Sequence, residues 1–390
     1  MEKIDSLLRK GVKIPDPAGV EIGPEVDVDR IAGEGVVIHP GCRIRGERTL
    51  ILAGAKLGAE APVTVENCRV GPGVELKGGY FRGAVFLENA CCGLGSHVRE
   101  GTILEEGASI AHTVGLKQTI LFPFVTLGSL INFCDCLMAG GTGPKNHSEV
   151  GSSYIHFNFT PNQDKATASL IGEVPRGVML NRKPIFLGGQ GGMVGPVRLD
   201  YGITVAAGTI VRKDELRPDR LIYGGASKAG NIEFRPGLFS GTDRIIRNNL
   251  LYIGNLFALR QWYLGARSLF VGVRFPEALL AGLLETLELG IAERIKRLKE
   301  LGEKMERVGD DSLSGRWPAV EAVLQDRFES QGDPRTREAF LEKLSQRIAG
   351  SEKDYIAAVQ ALAPYESETG TAWLQGIVEE TSEAAAAALK

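Results

Sequence analysis

The sequence predicts a left-handed parallel β-helix, built as a solenoid of hexapeptide repeats, followed by an all-α C-terminal domain. Three observations carry this. Residues 92–115 read CGLGSH, VREGTI, LEEGAS, IAHTVG, four six-residue units in succession. Looser hexads of the same kind flank that stretch on both sides, and from about residue 235 the composition shifts to helix formers. A period of six is neither the 3.6 of a helix nor the 2 of an alternating strand, so it must be read as a repeat. Each unit opens on an apolar residue (Cys92, Val98, Leu104, Ile110) that would point inward and stack on its equivalent in the next coil. In the first three units Gly follows three places on (Gly95, Gly101, Gly107) and a small residue four places on (Ser96, Thr102, Ala108). A small residue fits a corner, and Gly permits a turn that a Cβ would penalise. Three short strands per coil of about 18 residues give a triangular cross-section.

Taken in order, residues 1–20 read as an N-terminal arm, a short helix and then a Pro-containing loop. The β-helix domain is expected over 21–235. Hexads start at Ile22, Val28, Ile38, Ile44, Ile51, Leu57, Val70 and Leu76, and their phase slips mark bulges or small loops leaving a corner. Between 115 and 198 the pattern breaks, and functional loops are expected there, because loops carry chemistry that a regular scaffold positions. The repeat resumes at Leu199, Val205 and Val211, with LIYGGAS as a possible closing segment. Residues 236–390 read as an α-helical domain. Helices are predicted over 243–270, 276–308, 318–329, 335–348, 354–362 and 373–390. In the second, Leu284, Ile291, Leu298 and Met305 recur every seven residues, and Arg294 interrupts a parallel stripe of Leu280, Leu287 and Leu301. Such stripes predict a core or a subunit seam.

Composition narrows the function. The 390 residues carry a net charge of −3, which gives no basic field for nucleic acid or an acidic membrane surface. No apolar run reaches membrane-spanning length, and the N-terminus lacks a signal-peptide core, so a cytoplasmic protein is expected. The six cysteines include adjacent and one-apart pairs, a poor disulfide framework, and read as reduced core thiols. No metal is expected.

In or beside the irregular segment lie His112, His147 and His156, among many Asn, Lys and Thr residues. Together with the hexads, three stretches resemble the left-handed β-helix acyltransferases, above all the acetyltransferase half of the bifunctional N-acetylglucosamine-1-phosphate uridyltransferases. LINFCD (130–135) is similar to that family's active-site stretch, FNFTPNQDKATASLIG (157–172) to its Asn-Tyr-Asp-Gly loop, and MVGPVRLDYGITVAAGTIVRKD (193–214) to its closing coils. The resemblance implies a homotrimer with sites shared between neighbouring solenoids, and acetyl transfer from acetyl-CoA to an amino-sugar phosphate or nucleotide sugar. It also implies a histidine general base on the sugar amine. That histidine falls on Leu130 here, the following Tyr on Phe133, and the loop Tyr on Phe159, while Asn158 and Lys165 match. The base must then come from His147 or His156, with Asn158 beside it. Asn132, Lys145, Asn146 and Lys165 are the expected substrate contacts, and Ala206, Ala207, Arg212 and Lys213 the expected acetyl-CoA contacts. Arg182, Lys183 and Arg198 are further candidate phosphate ligands. A nucleotidyl-transfer domain is not expected, since residues 1–20 cannot supply one. Two other readings stand beside acetyl transfer. One is a non-catalytic sugar-nucleotide-binding or scaffold trimer. The other is a zinc enzyme like the γ-carbonic anhydrases, with three histidines from adjacent solenoids.

Overall fold

A computed structural model describes residues 2–224, 230, 231, 233, 237, 239, 241–351 and 353–390. The boundary expected at 235/236 and the Gly225–Ser227 end of the closing segment lie outside them. From Glu21 to Ile222 the chain winds through short parallel strands that stack into three sheets, here faces I, II and III. Face I has ten strands, from Glu21–Ile22 to Ile210–Val211. Face II has eight, from Leu50–Ile51 to Arg198–Leu199, and face III has ten, from Val37–Ile38 to Leu221–Ile222. The chain visits them in the order I, II, III. The hexad reading holds at side-chain level: Cys92, Val98, Leu104 and Ile110 are all buried, as are Ser96, Thr102 and Ala108. Gly95, Gly101 and Gly107 take φ of 75°, 77° and 65°, the left-handed region in which a Cβ is strained. Cys92 pairs in register with Leu76 on one side and Ile110 on the other. Each fully buried Val, Leu or Ile in such a stack contributes roughly 1.5–3 kcal/mol.

Residues 115–198 are more regular than their sequence suggests. Strands continue on all three faces through this region, in register with the coils below. The broken periodicity comes from three excursions. A hairpin (Gly141–Gly143 against Asn146–His147) leaves the ridge between faces II and III. Residues 158–168 leave the ridge between faces I and II. Residues 172–185, which include helix α2, again leave the II/III ridge.

Eight α-helices are described. α1 (Glu2–Arg9) caps the first coil, burying Ile4 and Leu7, while Lys3 Nζ donates to the carbonyls of Gly23 (3.1 Å) and Pro24 (2.6 Å). α2 is Val174–Gly177, α3 Thr242–Gly265, α4 Glu277–Glu306, α5 Trp317–Phe328, α6 Pro334–Ala349, α7 Tyr355–Gln360 and α8 Pro364–Ala387. The helix predicted over 243–270 is thus α3 followed by a 3-10 turn (Arg267–Phe270), and the last begins nine residues earlier than predicted, at Pro364. α3 and α4 cover face II, whose strands are accordingly buried on both sides: Ala84–Phe86, Thr102–Leu104 and Cys136–Met138 contain no exposed residue. Gly282 permits the approach of α4, because a Cβ there would stand 2.6 Å from Arg69 Cγ. The Arg69 guanidinium, lying under the helix, pairs with Glu285. Among the described residues, the helices pack on face II and not on faces I and III.

Candidate functional site

The expected site residues fall on different ridges. On the I/II ridge, Asp135 adopts φ 59° and is buried at 6% exposure. A carboxylate so placed needs partners. Arg294 of α4, itself buried, reaches its Oδ1 at 2.7 Å, and Asn158 Nδ2 donates to its Oδ2 at 3.1 Å. The residue that breaks the heptad stripe is therefore one that ties α4 to the solenoid. Asn158 opens the 158–168 excursion. Within that loop Thr160 and Asp164 are joined by a side-chain hydrogen bond, Lys304 donates to the Gln163 carbonyl, and Asn249 Nδ2 donates to the Ala166 carbonyl at 2.8 Å. Lys165 is left exposed on the loop. Arg212 and Lys213, also exposed, sit on the same ridge in a later coil.

On face I itself Asn132 points outward, aligned with Ile155, Gly192 and Ile210 in one column. Ile155, Phe157 and Ile210 are exposed apolar residues there. Leu130, at the III/I ridge, is 56% exposed with φ 59°. Beside it His112, on the preceding coil, has its Nδ1 2.8 Å from Ser129 Oγ. Ala206 and Ala207 lie on this III/I ridge after Thr204–Val205, where Gly208 meets open space.

His147 and His156 are not brought together in one groove of the chain. His156 lies in the strand Ile155–Phe157 with its ring turned into the solenoid, 1% exposed. Its Nε2 is 2.8 Å from Ser169 Oγ, which also accepts from the Val197 amide, and its Nδ1 is buried without a hydrogen-bond partner. Burial pushes this imidazole down to about 4, with the nearby Asp135 charge pulling the other way. It is a neutral interior side chain at physiological pH. His147 stands on the II/III hairpin, half-buried, with Lys145 and Asn146 exposed beside it. Its Nδ1 lies 2.9 Å from the Pro144 carbonyl, an acceptor only, so in the neutral ring the proton sits on Nδ1 and Nε2 keeps the lone pair. That is the tautomer a general base requires. Asn146 Nδ2 donates to Thr142 Oγ1 at 2.8 Å, and Gln360 Nε2 of α7 donates to the Thr142 carbonyl at 2.6 Å, which steadies the hairpin.

Of the remaining candidate cations, Lys183 pairs with Asp219 at 2.7 Å, and Arg198 is half-buried near Asp214. All six cysteines are free thiols. Burial raises Cys134 to about 11, which makes it a poor metal ligand. No three His, Cys, Asp or Glu side chains are grouped to hold a metal among the described residues.

Comparison with known proteins adds sequence relatives. The bifunctional protein GlmU of Thermotoga petrophila is 27% identical over 215 residues, 55% of this chain and 42% of that protein. GlmU of Nocardia farcinica is 28% identical over 244 residues, 61% of this chain and 44% of that protein. The chain is similar to the hexapeptide-repeat acyltransferases. It spans less than half the length of these curated relatives. No family model matches. A solved UDP-N-acetylglucosamine acyltransferase from Campylobacter jejuni overlaps 54% of this chain and 69% of its own at 13% identity, with a TM-score of 0.16, too slight to bear on fold or function. No described helix is long and apolar enough to cross a membrane.

Proposed function

We propose that this chain is a cytoplasmic acyltransferase that moves an acetyl group from acetyl-CoA to the amine of an amino-sugar phosphate or nucleotide sugar. One observation carries the assignment of the base: the Pro144 carbonyl fixes His147 with its Nε2 lone pair free. The amine nitrogen attacks the thioester carbonyl carbon, a C–N bond forms, and the C–S bond breaks. His147 Nε2 takes the proton lost by the amine and returns it to the departing CoA thiolate. Positioned proton transfer of this kind contributes typically 10²–10⁴-fold. Lys145 and Asn146 flank the base as substrate contacts.

The remaining candidates join the site only in an assembly. With face II under helices, faces I and III are the surfaces free to meet neighbours. In a threefold ring, face I of one chain lies against face III of the next, a heterologous contact that closes by rotation. The I/II ridge of the first chain, bearing Asn158, Lys165, Arg212 and Lys213, then borders the II/III ridge of the second, bearing Lys145, Asn146 and His147. Arg212 and Lys213 would meet the CoA phosphates as charge-assisted donors, and Ala206 and Ala207 would offer backbone to the pantetheine arm. His147→Gln is expected to lower kcat for CoA release by 10²–10⁴-fold with acetyl-CoA and glucosamine 1-phosphate. Unchanged turnover in that variant would remove the assignment of the base.

A second reading has its own support. Leu130 presents an apolar side chain to solvent where the family resemblance puts a histidine. A non-catalytic trimer that only binds a sugar nucleotide would show saturable ligand binding and no release of CoA.

A further inference from the structure

A cavity of about 470 Å³ lies between the II/III ridge of the solenoid and the helical region, within the range of small-molecule sites. Its solenoid wall includes Glu88, Glu106 and Phe124, and its helical wall includes Arg267, Arg274, Phe275 and Lys353. Residues 271–275, between the 3-10 turn and α4, form a strap along its edge. Val273 at the strap's centre is 99% exposed, and Arg274 ties the strap to the solenoid through an ion pair with Glu88. Phe124 and Phe275 are only half-buried although both line the cavity. The floor is charged: Arg267, 1% exposed, packs beneath the Tyr355 ring at 3.7 Å and donates to Glu106 at 2.5 Å. Its Nε and Nη1, and Glu106 Oε2, are buried with no hydrogen-bond partner.

We propose that this cavity binds a nucleotide, with its base against Phe124 and Phe275 and its phosphates on Arg274 and Lys353. Each part follows from the lining. The Arg267 guanidinium already lies over the Phe275 ring, 4.6 Å from its centroid, so a base would stack on Phe124 and on the opposite face of Phe275. The acids facing the site are Glu88, Glu106 and Asp354, and two of them are engaged: Glu106 by Arg267, and Asp354 as the cap that accepts from the Ala357 amide at 2.8 Å. Glu88 is the carboxylate that holds Arg274. Lys353 donates to the Val271 carbonyl, at 3.0 Å, on the strap itself. A phosphate that displaces Glu88 from Arg274 gains a forked cation and a neighbouring ammonium, the pairing for which guanidinium geometry is suited. The cavity lies on the same II/III ridge as the proposed catalytic hairpin and has Pro144 in its lining. None of the residues assigned to acyl transfer takes part in the proposed nucleotide contacts.

The test is calorimetric titration of the full-length chain with uridine 5′-diphosphate, with inorganic phosphate titrated in parallel. Saturable binding of the nucleotide, about tenfold or more tighter than inorganic phosphate, is the expected result. Arg274→Gln should weaken it about tenfold, the loss of one charged phosphate contact. Glu88→Gln should tighten it several-fold, because the phosphate no longer competes for Arg274. That opposite sign separates a ligand contact from a merely structural ion pair, whose two halves would act alike. The proposal is overturned if the nucleotide gives no saturable heat at millimolar concentration. It is equally overturned if inorganic phosphate binds as tightly, or if both substitutions leave the affinity as it was.

Discussion

His156 and Glu105 are buried ionisable groups whose titrations pull stability in opposite directions. Folding holds His156 neutral down to about pH 4, whereas an unfolded imidazole takes its proton near 6.5. The stability it contributes is full above about pH 6.5 and is lost as pH falls toward 4, on the order of 3 kcal/mol in all. Glu105 does the reverse. Burial, with the Glu106 charge beside it, pushes its carboxyl up to about 7. Its contribution is full below about pH 4.5 and is lost as pH rises through 7. Tyr263 of α3 donates to it at 2.6 Å, and a neutral amide can accept that bond equally well. Glu105→Gln should therefore gain stability relative to the parent as pH rises from 5 to 8, and its own melting temperature should fall steeply on acidification, since the His156 slope is no longer offset. A parallel pH dependence in parent and variant would mean that Glu105 does not hold its proton. Sequence could name His147 and His156 as candidates but not rank them. The distinction rests on which way each ring faces and on whether a carbonyl or a hydroxyl meets its nitrogen.

At the scale of elements, α4 shows what was legible in the chain and what was not. Its heptad stripe announced an apolar face, and the break at Arg294 announced an exception. The exception's partner, Asp135, lies in a stretch read for its family resemblance, far away in sequence. One signal was available. Face II strands carry neighbouring apolar residues, as in Ile103-Leu104 and Leu137-Met138, whereas face I strands such as Arg43–Arg45 alternate. Two adjacent apolar residues on every third strand mean a sheet covered on its outer side, which is where α3 and α4 lie. The hexad phase hid this, because it registers only the inward position. The pairing itself is testable. Arg294→Met leaves the Asp135 carboxylate buried beside Asn158 alone, and should cost about 3–5 kcal/mol by urea denaturation. Adding Asp135→Asn should recover a substantial part of that loss. A double variant as unstable as the single one would show that Arg294 acts through packing and not through the ion pair.

At the scale of the whole molecule, the three sides of the solenoid were legible from the hexads, but which side is covered was not. That depends on helices that follow the solenoid in the chain. The consequence is an assembly argument. Asn158 and Lys165 lie on one ridge and His147 on another, so a site that uses both takes one set from each of two neighbours. Lys165→Ala and His147→Ala should each be nearly inactive alone, yet they damage opposite halves of the shared site. If the two proteins are unfolded together in equal amounts and refolded, chains assort at random around the ring. A given interface then draws an intact His147 ridge with probability one half and an intact Lys165 ridge with probability one half. About one quarter of the sites are fully intact, and about one quarter of the parental activity should return. Sedimentation of the same sample should give a trimer. A mixture no more active than its components would place both residues in a site belonging to one chain, or in no site at all. A trimer that forms without complementation would keep the ring while removing the shared ridge from its chemistry.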